Sequence, residues 1–459
     1  MRAWEQATWQ AGRREEAVIA RVGQLVAERA SRLTRAGDQL LLLAGKGHNG
    51  DDVRQARPHL KDRLVELLEI TDPAQGLPQL ARALETRPAL VIDGLFGIGL
   101  NRLLDEDWKR IIDLVNQANA RVLAVDAPSG LNCDTGQPEG AAIKADLTLT
   151  LGAVKRGLVQ SSAAEFVGWL ELATDIGLIE CPVKSDLSWT QAEDFEGFPP
   201  ARRCDSHKGS FGHVVILAGS LGYHGAAVLA ARGAQASRPG LITVVTTDET
   251  YLPVAAQLQS TMVRPWTADW ELPDRATAIL FGPGLADASV PAGLRKQALH
   301  FWQQFPGAVV ADASGLDWLA PATAPAPGLR VITPHPGEAA RLLDTPTAQV
   351  QADRLTALRK LSERHGGCHV TLKGHQTLVG RAAGEVFVNS TGGPRLAQGG
   401  SGDVLAGYLA GLLAQPSLQA DPMLTLHYAV WRHGLAGESP NWTGLIDDLT
   451  VELAASKFR

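Results

Sequence analysis

Short apolar runs alternate with longer amphipathic stretches along most of the chain. In the first half the runs at residues 40–44, 64–70, 90–93, 122–126 and 147–151 are nearly continuous, as strands buried on both faces are. Between them, residues 15–35, 76–86 and 107–118 repeat their apolar positions with helical spacing. The second half continues the pattern, with strands predicted at 213–218, 241–246, 278–281, 308–312, 330–333 and 368–372. Helices are predicted there at about 224–237, 291–304, 336–344, 351–365, 402–415 and 421–437. Alternating strands and helices predict βαβ units around mostly parallel sheets. Ligands of such sheets bind at the carboxyl ends of strands.

At 459 residues the chain is too long for one core, and about 150 residues per domain suggests two or three. Residues 181–205 are polar, contain Pro199-Pro200 and show no period, so they are read as a linker between a domain over 1–180 and another over 206–459. The predicted class is α/β, with a Rossmann-like three-layer domain followed by a second α/β domain.

A net charge of -6 without a long Lys/Arg run argues against nucleic acid or an anionic membrane as partner. No stretch reaches 18 apolar residues. The first 23 residues mix Glu5, Arg13, Arg14, Glu15 and Glu16 with apolar positions and read as an amphipathic helix, not a signal peptide. Cys133, Cys181, Cys204 and Cys368 form no CxxC pair, which fits a reducing cytoplasm.

The strongest chemical signal is the Gly-rich run ending Gly399-Gly400-Ser401-Gly402-Asp403, followed by a plain helix pattern. Free backbone N–H groups at such a helix start hold anions, and glycine allows close approach. Asp403 then stands where a carboxylate could take a proton from a substrate hydroxyl. Capping of the helix dipole is the plainer explanation of an Asp there. Thr333-Pro334-His335-Pro336-Gly337-Glu338 also joins a strand to a helix. Pro336 and Glu338 suit a helix start, which leaves His335 as a substrate contact. Lys373-Gly374-His375-Gln376-Thr377 is either a phosphate-facing strand end or a surface hairpin turn. Gly282-Pro283-Gly284, and Gly219 to Ala227, are turns at strand ends.

Residues 207–440 resemble the ADP/ATP-dependent NAD(P)H-hydrate dehydratases, which are ribokinase-like enzymes. The resemblance rests on HKGSFGHVVILAGS, FGPGLA, ITPHPGE, LKGHQT and NSTGGPRLAQGGSGDVLAG. It implies Asp403 as catalytic base, hydrate contacts at Ala226, Gly284, His335 and Asp403, and nucleotide contacts at Lys373, Gly374, His375, Gln376, Thr377 and Gly402. ADP or ATP is the implied phosphoryl donor, with Mg²⁺.

Residues 1–175 resemble the NAD(P)H-hydrate epimerases, through AGKGHNGDD, DGLFGIGLNRLL, VLAVDAPSGLNCDTG and ADLTLTLGAVKRGL. Read physically, the first of these is a pyrophosphate loop between strand and helix, and Asp93, Asp126 and Ser129 are hard oxygen donors at strand ends. Asp126 is placed to act as a base, with Lys155 steadying charge. The resemblance implies K⁺ ligands at Asn49, Asp93 and Ser129. It implies hydrate contacts at His48, Asn49, Gly50, Asp51, Asp52 and Asp126, and along Gly97, Ile98, Gly99, Leu100, Asn101, Arg102 and Leu103. The family's Asn-Gly-Gly-Asp is here Asn49-Gly50-Asp51-Asp52, which predicts an acid beside an anion, and Arg54 and Ile98 also depart from the pattern. Together the halves imply a bifunctional nicotinamide-nucleotide repair enzyme acting on the hydrates of NADH and NADPH, expected as a homo-oligomer. Two alternatives are a dehydratase carrying a non-catalytic first half and a ribokinase-like kinase of a small alcohol.

Overall fold

The computed structural model describes residues 1–322 and 326–455. Contacts divide the chain into two units, Met1–Lys184 and Ser185–Arg459.

The first unit is built on six parallel strands in the order Leu64–Glu69, Gln39–Ala44, Leu90–Gly94, Arg121–Val125, Leu147–Leu151, Trp169–Ala173. The central strand shows why a continuous apolar run was needed. Leu40 and Leu42 pack with Val22 and Val26 of the helix Glu15–Leu33, while Leu41 and Leu43 face Leu80, Ile111 and Ile112 on the opposite side. All four leucines are at most 1 % exposed, so each contributes about 1.5–3 kcal/mol of burial. Asp72 and Asp105 start the helices Pro73–Glu85 and Glu106–Gln117 by accepting backbone N–H groups at 3.0 Å. The helix His48–Ala56 and the strand Trp169–Ala173 had no clear periodic signal.

Among its described residues the second unit carries ten strands. Seven are parallel, in the order Met262–Pro265, Leu241–Thr246, His213–Leu217, Ala278–Phe281, Ala308–Ala311, Arg330–Ile332, His369–Leu372. Leu378–Gly380 and Val386–Val388 extend the sheet antiparallel, and Leu187–Trp189 closes it parallel to the latter. The expected linker over 181–205 is therefore corrected. From Leu187 onward that segment pairs within the second sheet, and Phe195 enters its core. At three residues, with no α-helix directly after it to mark a strand–helix unit, this strand carries too little pattern to be read. The helix expected over 351–365 is two, Thr347–Ala352 and Arg354–Arg364, divided at Asp353, which caps the latter.

The helix Ser401–Leu413 is packed backbone to backbone against the helix His224–Ser237. A Cβ on Gly407 would lie 1.9 Å from the Ala230 carbonyl oxygen, and one on Gly233 2.2 Å from that of Val404. Only glycine permits this approach, which fixes where Asp403 sits. No described helix is long and apolar enough to cross a membrane.

Candidate functional site

Each sheet reverses its strand order once, and a cluster of candidate residues lies at each reversal. In the first unit the reversal falls between Gln39–Ala44 and Leu90–Gly94, where crevices form in open α/β sheets. A cleft of about 680 Å³ opens there. Of the residues expected to touch the hydrate, His48, Asn49, Asp52, Gly97, Ile98, Gly99, Leu100, Arg102 and Asp126 line it.

Gly50, Asp51, Asn101 and Leu103 do not line this cleft. At Gly50 the reason is packing, since a Cβ would come within 2.2 Å of the Gly45 carbonyl oxygen. At Asp51 it is a partner. Its carboxylate takes a hydrogen bond from Arg54 Nη1 at 2.7 Å, while Arg54 also holds Glu69 through Nε at 2.9 Å and donates to the Gly45 carbonyl at 2.7 Å. The two departures in this loop thus neutralise each other, and the lone acid expected beside an anion is corrected to an ion pair. Arg54 was seen only as an anomaly, because spacing of i to i+3 between Asp51 and Arg54 was not read as a pair.

Asp93 is fully buried, accepting the Ser129 hydroxyl at 2.6 Å and the Ser129 and Leu95 N–H groups at 2.8 and 3.2 Å. Burial pushes its pKa up to about 6 in spite of these bonds. Asn49 donates to the Phe96 carbonyl at 2.8 Å, which leaves its Oδ1 buried and without a partner. Asp126 lies just past a strand with φ of +65°, a conformation that a non-glycine residue holds only under constraint. Lys155 supplies the constraint, bonding Asp126, the Thr150 hydroxyl at 2.9 Å and the Leu151 carbonyl at 2.8 Å. Asp52 is 6 % exposed, and its pKa is pushed up to about 8 by burial first and then by the charges of Asp126, Asp51 and Glu5.

In the second unit the reversal falls between His213–Leu217 and Ala278–Phe281. The turns after these strands interlock. Gly219 N–H bonds the Pro283 carbonyl at 2.9 Å, and Ser220 Oγ donates to the Gly284 carbonyl at 2.6 Å. Gly284, with φ of +64°, faces Ala226, whose methyl would lie 2.9 Å from an added Cβ. Ala226 and Gly284, each expected to touch the hydrate, are thus neighbours.

Asp403 stands in the first turn after Gly400, whose φ is +94°. Its pKa is pushed up to about 7 by burial and Asp312, against the pull of Lys373. Lys373 is no surface lysine. Its Nζ lies 2.7 Å from Asp312 and 3.8 Å from Glu338, and a Cβ on Gly402 would be 3.4 Å from it. Burial works against its charge, but Asp312 and Glu338 prevail and the net shift is upward. The remainder of the turn is held by buried Arg354, which donates to the carbonyls of Leu372, His375 and Gln376. Thr377 Oγ1 donates to the Gly374 carbonyl at 3.0 Å.

His335 is a helix cap, contrary to the expectation that capping leaves it unexplained. Its Nδ1 accepts the N–H groups of Gly337 and Glu338 at 3.0 and 3.3 Å, while Glu338 bonds the His335 N–H at 2.8 Å. The imidazole remains half exposed, with its Nε2 3.6 Å from a Glu338 carboxylate oxygen. Sequence reasoning missed four supports: Asp312, Arg354, His433 and Glu438. Asp312 carried the signal that exposed Asp126, an acid ending an apolar run. His433 bonds the Ser401 carbonyl at 3.1 Å and Glu438 accepts the Gly392 N–H at 2.6 Å, pinning the Gly-rich turn from the helix Pro422–Glu438. Both lie in His433-Gly434-Leu435-Ala436-Gly437-Glu438, a stretch that shares in the family resemblance but to which no role was given.

Comparison with known proteins agrees with this division. The NAD(P)H-hydrate dehydratase family pattern matches residues 214–454, and that of the YjeF-related protein N-terminus matches residues 63–157. The bifunctional NAD(P)H-hydrate repair enzyme of Coxiella burnetii is 33 % identical over 90 % of this chain and 89 % of its own. That of Gloeobacter violaceus is 34 % identical over 95 % and 91 %. A solved ribokinase-like superfamily protein from Enterococcus faecalis is 27 % identical, with a TM-score of 0.50 over 60 % of this chain and 97 % of its own. Two family patterns in tandem, and relatives aligned along nearly the whole chain, show that it belongs to the family of bifunctional NAD(P)H-hydrate repair enzymes.

Proposed function

We propose that the second unit dehydrates the S hydrate of NADH or NADPH, using ADP or ATP, and that the first unit interconverts the R and S hydrates. The observation that carries the first activity is the placement of Asp403, a carboxylate with pKa near 7 at a glycine-opened helix start beside Lys373. A base of that strength is half ionised at neutral pH and suits removal of a hydroxyl proton. The freed oxygen attacks the terminal phosphoryl group, whose charge is met by the helix N–H groups and by Lys373. Loss of phosphate then restores the ring double bond. Gly374, His375, Gln376, Thr377 and Gly402 flank the nucleotide, and Ala226, Gly284 and His335 the hydrate. Mg²⁺ would arrive on the nucleotide's phosphates, its usual seat.

In the first unit, the buried and unpartnered Oδ1 of Asn49, with Asp93 and Ser129 nearby in the same bonded network, is a donor set suited to K⁺. K⁺ there would balance the buried Asp93 charge and order the cleft. Asp126 faces the hydrate, with His48, Asn49, Asp52 and residues 97–100 forming the walls. We place the enzyme in the reducing cytoplasm, in keeping with its unpaired cysteines. Assembly into homo-oligomers is part of this reading.

The test is incubation of the full-length enzyme with both hydrate epimers, ADP, Mg²⁺ and K⁺. Full conversion to the 340-nm-absorbing coenzyme, with phosphate released, supports two activities. Conversion of the S epimer alone removes the epimerase, and a stable phosphate ester would replace the dehydratase with a kinase.

A further inference from the structure

The cleft of the first unit holds a second carboxyl group, Asp52, so far given only a place in the wall. Asp52 lines the cleft beside Asp126 and is 6 % exposed. Among the described residues no hydrogen bond or ion pair reaches its carboxyl group, although Asp126 is held by Lys155 and the Leu151 N–H, and Asp93 by Ser129. A buried polar group without partners is costly to keep. One that opens into a cleft is satisfied when a ligand brings the missing partner.

The two carboxyl groups of this cleft stand in different surroundings: Asp126 is paired with Lys155, while Asp52 is buried without a basic partner and near like charges, which favours its protonated form. The charges bearing on Asp52 are Asp126 past its strand, Asp51 on the same helix and Glu5 on the helix Arg2–Gln10. Arg2, Glu15, Lys46, His48 and Arg102 also line the cleft, but none makes an ion pair with Asp52. Asp51 is itself committed to Arg54, and Asp93 on the adjacent strand to Ser129.

We infer that Asp52 is the proton donor of epimerisation, a catalytic residue working in the same cleft as Asp126. This rests on the epimerase reading above. The hydrate carries its hydroxyl on the ring carbon next to the ring nitrogen. Asp52 gives its proton to that hydroxyl, the C–O bond breaks, and water leaves. The nitrogen lone pair closes a C=N double bond, giving a cation in the cleft that the Asp126 carboxylate also lines. Water then adds to either face of the flat carbon and returns one proton to Asp52. Atoms and charge balance, and the net change is inversion at one carbon. The raised pKa of Asp52, about 8, keeps the proton in place at neutral pH.

The experiment starts from the R hydrate with the full-length enzyme, K⁺ and no nucleotide, and follows the two epimers by chromatography above the spontaneous rate. Asp52→Asn keeps the shape but has no acidic proton. It should lower kcat by roughly 10²–10⁴-fold, the usual worth of a positioned acid, with KM changed little. Asp52→Glu should recover part of the rate. The wild-type kcat should fall above about pH 8, as Asp52 loses its proton, and the residual rate of Asp52→Asn should lack that limb. Dehydration of the S hydrate and the melting profile of Asp52→Asn, measured alongside, report on folding. A wild-type enzyme that interconverts the epimers while Asp52→Asn keeps its kcat overturns the inference and spares the epimerase. A rise in KM alone, or a loss that tracks a lowered melting temperature, makes Asp52 a structural residue and also overturns it. No interconversion by the wild type overturns the epimerase reading, and the inference with it.

Discussion

Replacing Asp51 by glycine restores the residue that the epimerase family commonly has at this position, and the structure predicts that it will not help. An unpaired Asp close to a bound pyrophosphate would repel it by about 1 kcal/mol at a few ångströms of solvated separation. Removing it would then lower KM about fivefold. Asp51 is not unpaired. Arg54 lies 2.7 Å from it, and its side chain is 42 % exposed on a face that does not line the cleft. The positive partner cancels most of the field, so KM for the R hydrate should stay within about twofold. Stability should suffer instead. A partly exposed ion pair contributes about 0.2–1 kcal/mol, and glycine within a helix costs up to about 1 kcal/mol. The sum, up to about 2 kcal/mol, lowers the melting temperature of a unit of this size by up to roughly 4–8 °C. The assay is epimer interconversion with K⁺ and no nucleotide, run beside a thermal melt. A fivefold fall in KM with an unchanged melt would refute the reasoning. Arg54→Leu is the opposite perturbation. It frees Asp51 and Glu69 and releases the Gly45 carbonyl, so KM should rise severalfold.

Asp403→Asn should lower dehydratase turnover by roughly 10²–10⁴-fold and leave the nucleotide dissociation constant nearly unchanged; near-wild-type turnover would sink the assignment. Because Asp403 must be ionised to act, wild-type kcat/KM for dehydration should rise with pH through about 7 and level off above it, which a pH series at low substrate checks. Its folded pKa exceeds the usual carboxylate value, so its contribution to stability is present at acid pH and is lost as pH rises through about 7. Asp403→Asn should accordingly melt no lower than wild type at pH 8. Lys373→Ala should weaken nucleotide binding and also cost about 3–5 kcal/mol, by leaving Asp312 buried without its partner. Adding Asp312→Asn should recover much of that stability, but not the affinity, in paired melts and titrations. Asn49→Ala removes the unpartnered Oδ1, so stimulation of epimerisation by K⁺ should shrink; an unaltered K⁺ response would exclude Asn49 as a ligand.

The parallel sheets were legible because their strands are buried on both faces, so residues such as Leu40 to Leu43 read as unbroken apolar runs. The short strands Leu187–Trp189, Leu378–Gly380 and Val386–Val388 were not, since each is three residues long and none leads directly into an α-helix, as the equally short Arg330–Ile332 does. Gly-rich turns gave away Asp403, and a strand-end acid gave away Asp126. Asp312 carried the latter mark as well, but its meaning lies in Lys373, which is 61 positions away in sequence. His335 shows the reverse difficulty. Histidine seldom caps a helix, so a chemical role was the nearest explanation until its Nδ1 was seen to accept two backbone N–H groups. Asp51 and Arg54 looked like two separate faults in a pattern, and only the bond between them makes them one change.

The strand Leu187–Trp189 bears on how the dehydratase half can be separated from the rest. A fragment beginning at residue 206 would strip the outer ladder from Val386–Val388 and withdraw Phe195 from its place among Tyr428, Trp431 and His427. The stripped edge would offer unsatisfied N–H and C=O groups to any neighbouring chain, the usual opening for edge-to-edge association. A fragment beginning at Ser185 keeps that margin covered. Precipitation of the shorter piece would therefore reflect an uncovered sheet margin, while its catalytic turns, all encoded after residue 206, would still be present.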